Sequence, residues 1–224
     1  MQKVFITGGA GFIGSRVVRE FLAVNFDVTV FDSFKQYVAP DPRAKPVNLL
    51  ARLADVSDDI SLVTGDTLNK DFLRRTLNGT RPDVIVHMAA LPLANVAIEQ
   101  TEEAFDSILS STVNILEVVR DFDHECPVIY TSSSMVYGDF QTPSVTETAP
   151  KDPKDIYGSI KLAGEIISAS LLAIAIEEEG ESAVSLTGSQ AGMITDESHM
   201  QARIEQVEGE RILRHLTKGR VVVI

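Results

Sequence analysis

Short apolar runs rich in β-branched residues recur along the first 134 positions, and segments with helical periodicity separate them. "KVFIT" (3–7) predicts a strand. Residues 12–24 predict a helix, with Phe12, Ile13, Val17, Val18, Phe21 and Leu22 on one face. "DVTVFD" (27–32) predicts a second strand. A polar, proline-containing stretch (35–48) and a helix near 48–56 follow. "ISLVTGD" (60–66) is the third strand, and a helix near 69–77 leads to "DVIVHMAA" (83–90), the fourth. A long helix near 100–122 precedes "PVIYTSSS" (127–134), the fifth strand. Alternation of this kind implies right-handed crossovers and a parallel sheet.

Residues 139–155 contain three prolines and predict a loop. "YGSIKLAGEIISASLLAIAIEEEG" (157–180) predicts one long helix that ends at Gly180, a residue suited to a left-handed cap. "SAVSLTG" (182–188) and "RVVVI" (220–224) predict strands six and seven. A polar hairpin over 193–207 and a short helix over 208–218 lie between them. The expected architecture is α/β. It is a Rossmann-type doubly wound parallel sheet of about seven strands, in order 3-2-1-4-5-6-7, within a single domain.

Composition narrows the function. The chain has 224 residues, 44% of them hydrophobic and 23% charged, which suits a globular fold. Its formal charge is −12, and no cluster of Lys and Arg interrupts the acidic balance. A nucleic-acid partner is therefore not expected, and an anionic membrane face would repel the chain. No apolar run approaches the ~18 residues of a membrane span. The start, "MQKVFITGGAGFIG", lacks the ~7–15 apolar residues of a secretory signal. The single cysteine, Cys126, excludes an intrachain disulfide, sits beside the apolar "PVIY", and fits a buried thiol in a reducing, cytoplasmic setting. His199 near Asp196 and Glu197 falls in the polar hairpin and reads as solvated, so no metal site is expected.

"TGGAGFIG" places Gly8, Gly11 and Gly14 between a strand and a helix. Gly8 permits a tight turn, Gly11 removes a Cβ that would block a pyrophosphate, and Gly14 lets the helix approach the strand. The helix N-terminus then offers N–H groups and positive dipole to phosphate. Asp32 ends the next strand, 18 residues beyond Gly14, where a carboxylate binds a ribose 2′-hydroxyl and rejects a 2′-phosphate. The cofactor expected is NAD rather than NADP, although Lys35 lies close by.

Tyr157 and Lys161 are four residues apart on a helix and share a face. "TSSSMVYG" ends the fifth strand on the side where a parallel sheet meets its ligand. An ammonium near a phenol favours the phenolate, so Lys161 is expected to lower the Tyr157 pKa. A hydroxyl from the serine run can share the substrate's proton.

These segments together resemble an extended short-chain dehydrogenase/reductase of the NAD-dependent epimerase/dehydratase group, similar to UDP-glucose 4-epimerases. The likeness covers residues 1 to about 163 and is carried by "TGGAGFIG", Asp32, "GD" at 65–66, "HMAALP", "TSSSMVYG" and "YGSIK". It implies that Gly8, Gly11, Phe12, Ile13, Gly14 and Asp32 bind NAD. It also implies Asp66 and Thr67 at the adenine and Ala89 and Ala90 along the cofactor, with Tyr157 and Lys161 touching it as well. Ser133, Tyr157 and Lys161 form the implied catalytic set, with Tyr157 taking a proton from a sugar hydroxyl. The 4,6-dehydratases of the group carry Thr-Asp-Glu before "VYG". Here Ser133, Ser134 and Met135 stand there, so the resemblance favours epimerase-like chemistry. The asparagine often found in the helix near 100–122 has no counterpart in "SILSST" (107–112). The resemblance implies a nucleotide-sugar substrate and a homodimer through the two long helices.

The remainder departs from that pattern. Residues 164–224 resemble an interior segment of bacterial aspartokinase, through "GE" at 164–165, "SASLLAIAI", "TGSQAGMITD" at 187–196, "ARI" at 202–204 and "KGRVVVI". Glu165 matches an aspartate-contacting Glu of that family. The phosphate loop of those kinases is missing, so kinase activity is not expected. The division expected is a dinucleotide-binding core over 1–163, without the family's substrate lobe, and a kinase-like segment over 164–224 that completes the same sheet. Two functions follow. One is weak hydride transfer on a nucleotide-sugar alcohol. The other is a recombined chimera that binds NAD at most.

Overall fold

A computed structural model describes residues 1–37, 50–140, 145, 149–178, 180, 182–185, 193–195, 204–207 and 210–223. The candidate metal residues Asp196, Glu197 and His199 lie outside these. The chain divides into two compact units, residues 1–131 and 132–224.

In the first unit five strands alternate with helices. They are β1 (Lys3–Thr7), β2 (Asp27–Asp32), β3 (Ile60–Thr64), β4 (Val84–His87) and β5 (Val128–Tyr130). All pair in parallel, in the order β3-β2-β1-β4-β5. β1 and β2 are buried almost throughout, as central strands of a parallel sheet covered on both faces must be. β3 and β5, at the edges, are half exposed. Side chains alternate along each strand. Val4, Ile6, Val28, Val30 and Val86 form one core, with Val18 of α1 (Gly14–Ala23) and Leu53. Phe5, Phe31 and Ile85 form the other, with Leu73 and Leu77 of α2 (Lys70–Thr80) and Ile115 and Val118 of α5 (Ser111–Arg120). Cys126 packs in this second core, and burial pushes its thiol up to about 11, as a structural cysteine requires.

Three local details differ from the periodicity. Phe12 and Ile13 do not join the core face of α1. The helix begins at Gly14, two residues later than expected, and they are 79% and 62% exposed in the glycine loop. The segment near 48–56 is a 3₁₀ helix, Leu50–Asp59. The long helix near 100–122 consists of α4 (Thr101–Phe105), a π-helical turn over Asp106–Ser110, and α5, preceded by the unforeseen α3 (Ala94–Glu99). The π turn falls on "DSILS" and widens the helix by one residue.

The second unit holds a 3₁₀ turn (Ser134–Tyr137), the long helix α6 (Ile156–Glu178), β6 (Ala183–Ser185), β7 (Met193–Thr195), β8 (Ile204–Val207), α7 (Glu210–Leu216) and β9 (Val221–Val223). β7 and β8 form the expected antiparallel hairpin. β6 and β9 pair in parallel, as expected of strands six and seven, but only with each other. Among the described residues neither extends the five-stranded sheet. Both are three residues long and lie along α6. Gly180 has φ +90°, the left-handed conformation its place after the helix calls for. α6 runs unbroken through 163/164, where the two resemblances meet. No helix among the described residues is long and apolar enough to cross a membrane.

Candidate functional site

In the first unit the loop between β1 and α1 lies at the C-terminal edge of the sheet. Gly8 has φ +71°, and a Cβ there would lie 2.8 Å from the Ala89 nitrogen. Only glycine lets the end of β1 lie this close to the turn after β4, and so Ala89 comes beside the loop. A Cβ on Gly14 would collide with the Gly8 carbonyl, which is the close helix–strand approach expected of the third glycine. Gly11 differs. Its Cβ would meet only the Gly8 oxygen, at 3.1 Å, and otherwise open space. The α1 N-terminus carries no side-chain cap; the N–H groups of Ser15, Arg16 and Val17 donate to the Gly11 and Ile13 carbonyls, and the positive end of the helix dipole still favours an anion beside Gly14.

Asp32 closes the loop. One carboxylate oxygen accepts from the Ala10 N–H at 3.0 Å, and the other accepts from the Phe34 N–H at 2.8 Å. Phe34 adopts φ +54° to make this possible. The carboxylate is thereby held at the mouth of the glycine loop. Lys35, the residue that leaves room for a 2′-phosphate, pairs with Glu103 at 2.6 Å and lies over the Tyr37 ring. Burial, with Glu103 next in effect, pushes the Tyr37 phenol up to about 12. Asp66 accepts from the Leu68 N–H at 2.9 Å, and Thr67 is buried, its carbonyl accepting from the Asn114 side chain at 3.0 Å. Asn114 was not singled out by the sequence. It sits on α5, where helical periodicity marks only a polar position. Gly8, Gly11, Gly14, Asp32 and Ala89 thus come together around one loop.

The described groove fits a dinucleotide. It offers a helix N-terminus without a side-chain cap, a glycine whose missing side chain leaves space, and a fixed carboxylate at its mouth. The strand-end His87 is 2% exposed and is bonded to Thr7, Thr112 and Ser111, so it belongs to the support of the loop and not to its surface.

The second unit brings together Ser133, Tyr157 and their neighbours. Ser133 is extended and caps the 3₁₀ turn by accepting from the Met135 N–H at 3.2 Å. Its hydroxyl is also close enough to the Tyr157 phenol to lower its pKa. Of the three serines in the run, Ser133 is therefore the one that meets the tyrosine. Gly158 lets α6 come against the Met135 carbonyl. Tyr157 and Lys161 are 9% and 4% exposed.

Their ionisation does not follow the simple expectation. Burial is the largest influence on Tyr157 and raises its pKa; the Ser133 hydrogen bond lowers it and the Asp155 charge raises it further. Lys161 is itself desolvated, which pushes its amine down to about 8 against a favourable effect of Glu165. Both groups lose more from leaving water than neighbouring charges return, so each is biased toward its neutral form. Glu165, one turn beyond Lys161, accepts from the Ser132 hydroxyl and from Lys151 Nζ at 2.6 Å.

Comparison with known proteins places these features in a family. Residues 5–173 match the sequence profile of the GDP-mannose 4,6 dehydratase family. The chain is 34% identical over 168 residues to UDP-glucose 4-epimerase 4 of Oryza sativa subsp. japonica, covering 74% of this chain and 44% of that protein. It is 32% identical over 147 residues to CDP-paratose 2-epimerase of Salmonella typhi, covering 66% and 41%. Among solved structures, UDP-glucose 4-epimerase of Thermus thermophilus in complex with NAD superposes with a TM-score of 0.62 at 27% identity, over 82% of this chain and 55% of that one. A dTDP-glucose 4,6-dehydratase from Streptomyces venezuelae with NAD bound gives 0.63 at 28%, over the same shares. The chain spans about half the length of the curated relatives it matches.

Proposed function

This chain belongs to the GDP-mannose 4,6 dehydratase family, and on that premise we propose that it binds NAD and acts on a nucleotide-sugar alcohol with epimerase-like chemistry. Gly8, Gly11, Phe12, Ile13 and Gly14 hold the pyrophosphate, and Asp32 holds the adenine ribose. Asp66 and Thr67 lie at the adenine, and Ala89 and Ala90 line the cofactor's path. Bound NAD supplies the hydride acceptor. Tyr157 Oη exchanges a proton with the sugar hydroxyl, Ser133 Oγ orients that exchange, and Lys161 contacts the cofactor's ribose. The absence of an acidic pair from Ser133, Ser134 and Met135 argues against dehydration as the net reaction. The relatives are epimerases and dehydratases of nucleotide sugars, and two of the solved ones carry NAD.

The observation that carries this reading is the proximity of the Ser133 hydroxyl to the buried Tyr157 phenol, whose pKa it lowers, because it brings together the two hydroxyls the proton transfer needs. A homodimer and a cytoplasmic setting belong to the same proposal. We propose an aspartokinase-like origin for residues 164–224 on their motifs alone, of which 174–224 lie outside the family match. The family match continues past the Gly164–Glu165 joint to residue 173, which supports a single descent for all of the catalytic helix face.

The test is a titration with NAD+ and NADH, followed by melting temperature and ligand fluorescence, with Asp32→Ala as control. At ~100 times the dissociation constant a true ligand adds about 2.7 kcal/mol. Saturable binding that weakens in Asp32→Ala, followed by Tyr157-dependent reduction of NAD+ with a nucleotide sugar, is the expected result. Binding without turnover would leave a dinucleotide-binding chain that catalyses nothing. No binding by a cooperatively folded chain would end the proposal.

A further inference from the structure

Tyr157, Lys161 and Glu165 follow one another at intervals of four and lie along one stripe of α6. The first two enter the proposed chemistry and the third does not. Yet Glu165 is the most heavily bonded carboxylate near them. One oxygen accepts from Ser132, the neighbour of Ser133, and the other accepts from Lys151 at 2.6 Å. Its side chain is 22% exposed, and that of Lys151 33%.

This arrangement does two things. The Ser132–Glu165 bond fastens the serine run to the helix that carries Tyr157, two turns from Tyr157 itself. The serine hydroxyl and the phenol are then held on the same element from both sides. Glu165 also sets a negative charge one turn from a buried amine, and that charge favours the ammonium form of Lys161. Among the described residues, the other charged or titratable groups on the neighbouring segments include Tyr157 on α6, Asp155 at its start, Lys151, Asp152 and Lys154 before it, and Tyr137 and Asp139 at the 3₁₀ turn. β6 and β9, which also pack on α6, carry none.

We propose that Glu165 is a positioning residue for the Ser133–Tyr157–Lys161 set, fixing the serine run against α6 and sharing its charge between Lys151 and Lys161. The inference rests on the reading of that set as the catalytic one, and it concerns these residues whether or not nucleotide is bound.

The test is the titration of Lys161 in the whole chain without added nucleotide. It is followed by NMR of 13Cε-labelled lysine, with the signal assigned by its loss in Lys161→Met. Glu165→Gln should lower the Lys161 midpoint by about one unit, the lower end of the effect of an opposite charge at this range. Glu165→Asp should recover at least half of that shift. Lys151→Met, at an exposed position, should move the midpoint upward, because it removes a like charge and frees the carboxylate. A purely structural role would give neither shift nor opposite signs. An unmoved midpoint in both Glu165→Gln and Lys151→Met, each melting cooperatively, overturns the inference. Should Glu165→Gln fail to fold, the direction of the Lys151→Met shift decides alone. Because no NAD enters the measurement, a failure of the dinucleotide proposal leaves this result readable, and the reverse holds too.

Discussion

Thr7 Oγ1 lies 2.7 Å from His87 Nδ1 beneath the glycine loop, and the same oxygen accepts the N–H groups of both Met88 and Ala89 at 3.1 Å. With its two lone pairs taken, the hydroxyl has only its proton left to give, so His87 Nδ1 is the acceptor. On the far side of the ring, Thr112 donates its own proton to the Ile108 carbonyl, and Ser111 donates to that of Ser107. His87 Nε2 therefore carries the hydrogen and donates to Thr112 at 3.2 Å. One hydroxyl thus fixes a histidine tautomer and the turn after β4 together.

Thr7→Val keeps the shape and removes these bonds. The Ala89 N–H and the His87 ring nitrogen then lose their partner, while the Met88 N–H keeps the Thr7 carbonyl, at about 1–3 kcal/mol. The melting temperature should fall by several degrees, and Thr7→Ser should restore most of it. A Thr7→Val chain as stable as the parent would mean that the backbone relaxes to find other acceptors.

The glycines of the loop should separate fold from ligand. Gly14→Ala strikes the Gly8 carbonyl and should cost stability, on the order of 1–3 kcal/mol. Gly11→Ala meets open space apart from one oxygen and should leave the melting temperature nearly unchanged while weakening NAD at least tenfold. Equal loss of stability in both would show that the loop has a packing role alone.

Lys161 makes a prediction about pH. Its folded pKa, about 8, lies below the unfolded value near 10.4, so between those values the unfolded chain binds more protons. Stability from this group rises with pH across that window, and its penalty is complete below about 8. Tyr157 acts in the opposite sense above about 10, where its raised pKa makes the native state bind the extra proton. Lys161→Met should therefore stabilise the chain at pH 7, by about 1–3 kcal/mol on the scale of the shift. The gain should shrink as pH climbs from 8 to 10. Denaturant melts of both chains at pH 7 and 10 check the sign, and a destabilised variant at pH 7 would contradict it.

The Lys35–Glu103 pair predicts cofactor choice. Glu103 draws the Lys35 charge to itself, 2.6 Å away, and Asp32 repels a 2′-phosphate. Glu103→Gln should release Lys35 and raise NADP affinity severalfold without changing that for NAD. Comparative titration of the two nucleotides reads this directly. An unchanged preference would place selectivity with Asp32 alone.

The sequence made the nucleotide half legible because glycines, a strand-end carboxylate and period-two apolar runs each have one structural use. The order of the five strands followed from their alternation with helices. Phe12 and Ile13 misled, because an apolar pair before a glycine has the spacing of a helix face while the helix starts after it. Glu165 was visible only as part of another family's motif. Its bonds to Ser132 and Lys151 come from 33 and 14 residues away, a relation that no local pattern carries. The pairing of β6 with β9 matched the expected neighbours six and seven, but among the described residues they pair only with each other, since a short apolar strand does not announce which edge it will join. The pKa directions of Tyr157 and Lys161 depended on burial, which spacing alone does not report.

The central place of β1 sets an order of assembly. Its residues pair with β2 across 24 positions, Val4 with Val28, and with β4 across 80, Val4 with Val84. Closing the longer loop costs about 1 kcal/mol more in chain entropy if made directly. The β1–α1–β2 crossover is the cheaper nucleus, and β4 docks on an edge already formed. During synthesis that edge waits, unpaired and apolar, until residue 87 has emerged. The glycine loop is therefore shaped on one side well before Ala89 arrives to close it, and substitutions at the end of β4 should slow folding less than equal losses in β1 or β2.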